Sequence, residues 1–149
     1  MITKILVATD GSETARKAVK YAVELAKQTG AAIVLLSVID RGFIIPQSIP
    51  PAATPTNLME PIEDYLRQAA EAHLDAAEQL CRKNGSQSRK VVRSGHPVEE
   101  IIKEAEKSKV DLIIMGSHGR SALKAALLGS VAFGVIHKDT KIPVLVVRR

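Results

Sequence analysis

Short runs of consecutive apolar residues alternate with helix-periodic segments along this chain, and that alternation is the strongest constraint on its fold. Residues 4–9 and 31–39 are apolar at successive positions, the pattern of parallel strands buried on both faces. Residues 87–93, 111–115 and 143–147 predict three more strands. The alternation predicts a three-layer α/β domain, with an open, twisted, five-stranded parallel sheet and helices on both faces.

The segments between the predicted strands carry apolar residues at helical spacing. Residues 60–84 predict a long amphipathic helix, and shorter helices are predicted after Ser12, from Pro97 and over residues 131–138. The segment from Arg41 to Met59 has no period and four prolines, so it predicts a long loop. A functional lid and a tolerated surface insertion are both open interpretations of that loop.

Composition fixes the class of protein before any motif is considered. The chain has 149 residues, which fits one domain over residues 1–149, and a single cysteine, Cys81, which excludes an internal disulfide. No apolar stretch approaches the roughly 20 residues that span a bilayer. We therefore expect a cytoplasmic protein with no membrane partner.

The net charge of +5 does not by itself indicate nucleic-acid binding. Aromatic residues make up 3% of the chain, too few for the stacking platforms on which single-strand binders depend. The basic cluster at Arg89, Lys90 and Arg93 is better explained as protection of an edge strand. His73 falls on the apolar side of the long helix, and we predict a residue at the edge of the core there.

A glycine-punctuated stretch from Gly116 to Ser130 is the best candidate for a binding site. It begins where a buried strand ends, and ligands of open α/β sheets bind beyond the carboxyl ends of the strands. Glycines let a backbone approach a ligand closely, and the amides at the start of the following helix suit a phosphate. Ser130 can bond a phosphate or cap that helix, and the stretch as a whole could also be a simple tight connection.

The spacing in this stretch excludes two common nucleotide motifs and matches a third. Neither a Walker A loop nor a Gly-x-Gly-x-x-Gly fingerprint occurs. Gly116-x-x-Gly119, nine further residues and then Gly129-Ser130 resemble the Gly-2x-Gly-9x-Gly-Ser/Thr motif of the ATP-binding universal stress proteins. The first strand with its Asp10 turn, the end of the second strand and the last strand also resemble that family, so the likeness spans all but the proline-rich loop.

The resemblance implies a sheet of order 3-2-1-4-5 and a nucleotide in the crevice where that order reverses. The residues implied at the site are Ala8, Asp10, Val38, Met115, Gly116, Gly119, Gly129, Ser130 and Val131. In that scheme the Val38 backbone meets adenine, Asp10 lies by adenine and ribose, and Gly116 approaches the ribose.

The remaining implied residues serve the phosphates or the pocket wall. Gly119, Gly129, Ser130 and Val131 would cradle the phosphates, while Ala8 and Met115 would line the pocket. Asp10 could instead only cap the turn that follows its strand. Arg120 and Lys124 are further candidates for pairing with phosphates, with solvated surface charges as the equal alternative.

The resemblance predicts an ATP-binding stress-response protein that acts as a nucleotide-dependent molecular switch. Alternatives are a weak or partner-dependent ATPase and a dimeric interaction protein that binds another adenine nucleotide. Mg²⁺ or Mn²⁺ could sit on the phosphates, held mostly by water and phosphate oxygens. We identify no catalytic residue and no protein metal ligand.

Two further expectations concern assembly and mutation. Members of the family dimerise through the last strand, so the resemblance implies a homodimer through Val144–Val147 in addition to an unidentified protein partner. Replacing Gly129 with Val is expected to abolish ATP binding with little unfolding, because Cβ atoms would fill the phosphate path.

Overall fold

Four helices and five strands alternate along the parts of the chain that the computed structural model describes, which are residues 1–41, 56–119 and 128–149. In chain order they are β1 (Lys4–Ala8), α1 (Glu13–Thr29), β2 (Ala32–Asp40), α2 (Thr56–Lys83), β3 (Ser88–Gly95), α3 (Pro97–Ser108), β4 (Leu112–Gly116), α4 (Ser130–His137) and β5 (Val144–Val147). The predicted alternation is confirmed, and most predicted bounds lie within two residues of the observed ones.

The five strands form one parallel sheet of order β3-β2-β1-β4-β5. At its centre, Val7 of β1 pairs with Leu35 of β2 on one side and with Ile114 of β4 on the other. The order implied by the family resemblance is therefore confirmed. The chain runs outward from β1 in both directions, so the carboxyl ends of β1 and β4 mark the switch point of the sheet.

Two apolar clusters cover the two faces of the sheet, as consecutive apolar strand residues predict. One cluster joins alternate residues of β1 to α1 and α2, with Ile5, Val7 and Leu74 almost fully buried. The other joins Leu6 and Ile113 to α3 and α4. Neighbouring residues of one strand thus serve opposite cores, which fixes the register of the sheet.

Helix α2 begins at Thr56, four residues before the predicted start at residue 60. Residues 56–59 belong to the segment predicted as a loop, because that segment shows no helical period and contains four prolines. A further proline, Pro61, lies inside the helix. A proline at this position removes only the hydrogen bond to the carbonyl four residues earlier. That carbonyl lies in the first turn of the helix, where the loss of one bond costs little. The rest of the predicted loop lies outside the described residues.

The basic residues of β3 pair with acidic residues of the flanking helices. Lys90 Nζ lies 2.8 Å from Asp75 Oδ1, and Arg93 Nη2 donates to Glu104 Oε1 over 2.8 Å. Arg89 also bonds Glu104, 3.5 Å away. Because β3 is an edge strand whose cations already have partners, the structural explanation of this cluster is supported.

Glu104 is the buried carboxylate of this network, with 2% of its surface exposed. Burial opposes its ionisation, but hydrogen bonds from Ser108 and from Arg93, together with the positive charge of Arg93, outweigh that effect. The net result is a pKa below the ordinary carboxyl value. The ionised group therefore joins α3 to the edge strand.

Glu104→Gln should lower the free energy of unfolding by about 1–3 kcal/mol at neutral pH, because charge-assisted hydrogen bonds to Arg93 and Arg89 are lost. A depressed folded-state pKa stabilises the fold above the ordinary carboxyl pKa, and this stabilisation is lost as the pH falls through the folded-state value. Urea unfolding at neutral pH and at about pH 3 measures both effects.

The difference between wild type and variant should shrink at the lower pH. Glu106→Gln, on the exposed face of the same helix, is the matched control and should leave stability unchanged. Equal losses in the two variants would contradict the role given to the buried network.

Candidate functional site

A cleft of about 420 Å³ opens at the carboxyl ends of β1, β2 and β4, at the switch point of the sheet. Its lining includes all nine residues that the resemblance implies for the site: Ala8, Asp10, Val38, Met115, Gly116, Gly119, Gly129, Ser130 and Val131. The fold brings these residues together from four separate parts of the chain. Their roles toward a ligand stay predictions.

The turn after β1 places the Asp10 carboxylate in the cleft. Asp10 Oδ1 accepts a hydrogen bond from the Ser12 amide over 2.9 Å, and the Ser12 hydroxyl accepts one from the Ala15 amide at the start of α1. The turn-capping role of Asp10 and its position in the cleft therefore coexist. The intervening Gly11 has φ +78°, a left-handed conformation that favours glycine.

The loop after β4 is fixed by three neighbouring elements. The Thr14 hydroxyl of α1 donates to the His118 carbonyl. The Gly129 amide donates to the Ser117 carbonyl over 2.6 Å, and the Ser117 amide donates to the Val147 carbonyl of β5 over 2.8 Å. The described part of this loop is thus tied to α1, to the start of α4 and to the last strand.

A Cβ on each glycine of the motif would meet a different neighbour. A Cβ on Gly116 would lie 2.9 Å from the backbone of Thr14, and one on Gly119 would lie 2.7 Å from Asp10 Oδ2. A Cβ on Gly129 would lie 3.0 Å from the Ser117 carbonyl oxygen and 3.1 Å from the Cα of His118. These glycines let the first helix, the Asp10 turn and the two loop ends approach one another.

Gly129 has a structural role in addition to the phosphate contact that the resemblance implies, which stays a prediction. Its amide already donates to Ser117, so its contribution is the absence of a side chain between two closely packed backbones. A side chain there would collide with backbone rather than fill only the ligand path. Loss of stability is therefore expected on substitution, in contrast to the little unfolding expected from the sequence.

The amino end of α4 opens into the cleft. Its N-cap is Gly129, which makes no side-chain capping bond, and Ser130, Val131 and Ala132 of the first turn all line the cleft. Amides in the first turn of a helix have no acceptor within that helix and carry partial positive charge. The arrangement suits an anion such as a phosphate.

A wall from α2 is the part of the cleft that the sequence did not predict. Leu66, Ala69, Ala70 and His73 line it, on one side of the helix. The prediction of His73 as a core-edge residue is thus incomplete, because this half-buried side chain also faces the cleft. Helical spacing indicates that these residues share a face, but it does not show which of them extends past the sheet edge.

Four other candidate residues have reactive or charged side chains, and the structure describes two of them. His118 lines the cleft, and its Nδ1 lies 2.8 Å from the Ser117 hydroxyl and accepts a bond from Arg149 Nε over 3.3 Å. Arg120 and Lys124, the candidate phosphate partners, lie outside the described residues. Cys81 is fully buried in the core, where burial raises the pKa of its thiol, as expected for a packed cysteine.

Across residues 1–41, 56–119 and 128–149, no group of three or more His, Cys, Asp or Glu side chains could hold a metal ion. None of the helices described in those ranges combines the length and apolar character needed to cross a bilayer.

The 3-2-1-4-5 sheet with a helix amino end at its switch point defines a doubly wound α/β protein. Comparison with protein-family models identifies the family described as the universal stress protein family, whose model matches residues 1–148. The chain therefore belongs to the universal stress protein family.

Individual relatives agree over the full length of the chain. Universal stress protein MJ0577 of Methanocaldococcus jannaschii is 37% identical over 157 residues, covering 100% of this chain and 96% of that protein. The solved structure of MJ0577 matches with a TM-score of 0.86, covering 100% of this chain and 97% of that one. Universal stress protein YxiE of Bacillus subtilis is 34% identical over 149 residues, covering 99% and 100% respectively.

A further solved structure was determined with a ligand. It is a universal stress protein in complex with cAMP, which matches at 25% identity and a TM-score of 0.68 and covers 99% of this chain and 97% of that one.

Alanine substitutions at two motif glycines should lower the free energy of unfolding by different amounts, because one glycine faces rigid backbone and the other faces a side chain that can rotate. Gly129→Ala should cost about 1–3 kcal/mol of unfolding free energy, because the new methyl group meets backbone atoms that cannot turn aside. Gly119→Ala should cost less than about 0.5 kcal/mol, because it meets a carboxylate that can rotate. Urea denaturation of both variants measures the difference, and a reversed order would contradict this packing analysis.

Proposed function

We propose that this protein binds ATP in the cleft and acts as a nucleotide-dependent regulatory switch in a stress response. The observation that carries the proposal is the amino end of α4, whose N-cap Gly129 supplies no side-chain capping bond and whose first turn lines the cleft. A triphosphate supplies the anion that such a helix end stabilises. Ser130 adds a hydroxyl donor at the same position.

The polar groups along the cleft complement the two ends of ATP. Asp10 and Asp40 line the β1 and β2 side, and carboxylates accept hydrogen bonds from the amino group of adenine or the hydroxyls of ribose. The α4 amides are donors, and phosphate oxygens are acceptors. The described backbone around Val38 completes the adenine end, in line with the role that the family resemblance implies.

The comparisons support the class of ligand. The family itself and a relative solved with cAMP both favour an adenine nucleotide. A divalent cation bound with ATP would take most of its ligands from phosphate and water oxygens. Such an ion would offset the phosphate charge.

ATP should bind with measurable heat in isothermal titration calorimetry, and Ser130→Ala should weaken ATP by about three- to tenfold while leaving adenosine unchanged. The reason is that the hydroxyl serves the phosphates and not the nucleoside. Ser86→Ala, which lies outside the cleft, is the matched control. Absence of ATP binding, or equal losses for ATP and adenosine, would contradict the assignment.

Release of phosphate should be followed in the same samples with Mg²⁺ present. A regulatory switch retains its ATP over the time of the binding measurement. Steady turnover that requires no partner would instead establish the alternative function, a slow ATPase.

We also propose that two copies associate through β5. In the described part of the chain, β4 is the only strand that pairs with β5, so one edge of β5 is left open. The Pro143 and Val147 carbonyls accept bonds from β4, so strand alternation turns the amides of Val144 and Val146 toward the open edge. An apolar open edge favours pairing with a second copy.

Val146→Pro should convert the dimer to a monomer, because proline removes an outward amide while the bonds to β4 remain. Val146→Ala keeps that amide, loses a similar amount of packing and should stay dimeric. Sedimentation velocity at micromolar concentration measures both variants. A monomeric wild-type protein, or a proline variant that stays dimeric, would contradict pairing through this edge.

A further inference from the structure

His73 of α2 contacts the turn that carries Asp10. The side chain is half-buried and lines the cleft at the end of the wall formed by Leu66 and Ala70. A Cβ built on Gly11 would collide with the imidazole ring. The ring therefore lies directly against the backbone of a buried residue of the turn.

The same turn aims the Asp10 carboxylate at a second loop. Asp10 Oδ1 accepts from the Ser12 amide, and Oδ2 lies where a Cβ on Gly119 would come within 2.7 Å. The Gly11 amide donates to the Thr9 hydroxyl over 3.3 Å. The carboxylate is thus bonded within the β1 turn and lies beside Gly119 of the glycine loop, while His73 packs on the turn from the α2 side.

We propose that His73 is a positioning residue for nucleotide binding, with its ring holding Gly11 so that the Asp10 carboxylate stays directed into the cleft. The inference rests on the proposed binding of ATP. It assigns the effect to the planar ring packed on the backbone and not to a hydrogen bond between imidazole and ligand. Helix α2 is thereby coupled to the site through Gly11.

Three substitutions of His73 separate these two roles. Phe keeps a planar ring and should lose clearly less affinity for ATP than either of the other two variants. Ala and Gln remove the ring, and each should weaken ATP and adenosine alike by about tenfold, because Asp10 serves the nucleoside portion. Retained affinity in the Gln variant with loss in the Phe variant would overturn the proposal, as would wild-type affinity in all three.

A double-mutant cycle tests whether His73 acts through Asp10. If it does, His73→Ala should have little further effect on ATP affinity in an Asp10→Asn background, and the two changes should be strongly non-additive. Additive losses would overturn the proposal. His137→Ala is the matched histidine control, since His137 is exposed and stacks on Phe133 outside the cleft.

A measurement without nucleotide distinguishes failure of this inference from failure of ATP binding. The Ser12 amide donates a hydrogen bond to Asp10 Oδ1. Hydrogen exchange of this amide should accelerate at least about fivefold in His73→Ala and clearly less in His73→Phe. Unchanged exchange in the Ala variant would overturn the positioning role even if ATP binds. Accelerated exchange would support it even if the wild-type protein does not bind ATP.

Discussion

The hydrogen bond from the Gly129 amide to the Ser117 carbonyl fixes the relation between the sheet and the amino end of α4. It joins the residue before that helix to the residue after β4, so the helix begins directly above the switch point. The close approach favours glycine at position 129, because a Cβ there would lie 3.0 Å from the Ser117 carbonyl oxygen. Because of this contact, the first-turn amides of α4 and the carboxylate of the β1 turn face the same cleft. The proposal that the amides bind the phosphates and the carboxylate binds the nucleoside depends on that arrangement.

Much of this arrangement could be predicted from the sequence because it depends on local pattern. Apolar strand runs indicated a parallel sheet, Ser12 indicated a helix cap, and the glycine spacing indicated the family and through it the order of the strands. The predicted start of α2 was wrong because residues 56–59 show no helical period and follow the prolines of the loop, yet they form the first turn of the helix.

Tertiary contacts account for what the sequence left unpredicted. The α2 wall of the cleft and the contact of His73 with Gly11 depend on how far a long helix extends beyond the sheet edge, which residue spacing does not encode. The hydrogen bond from the Gly129 amide could not be predicted for the same reason, because its acceptor, the Ser117 carbonyl, lies twelve positions earlier in the chain. A motif identifies which residues meet, whereas only the fold shows which of their atoms are already bonded.

The Ser117 amide donates to the Val147 carbonyl, so the loop beneath the cleft is bonded to the strand whose other edge is open. Two equilibria that meet at a shared contact obey reciprocal linkage: any factor by which association of two copies changes ligand affinity must equal the factor by which ligand changes association. If two copies associate through β5 and that factor differs from one, a change in the concentration of this protein also changes the fraction that carries ligand.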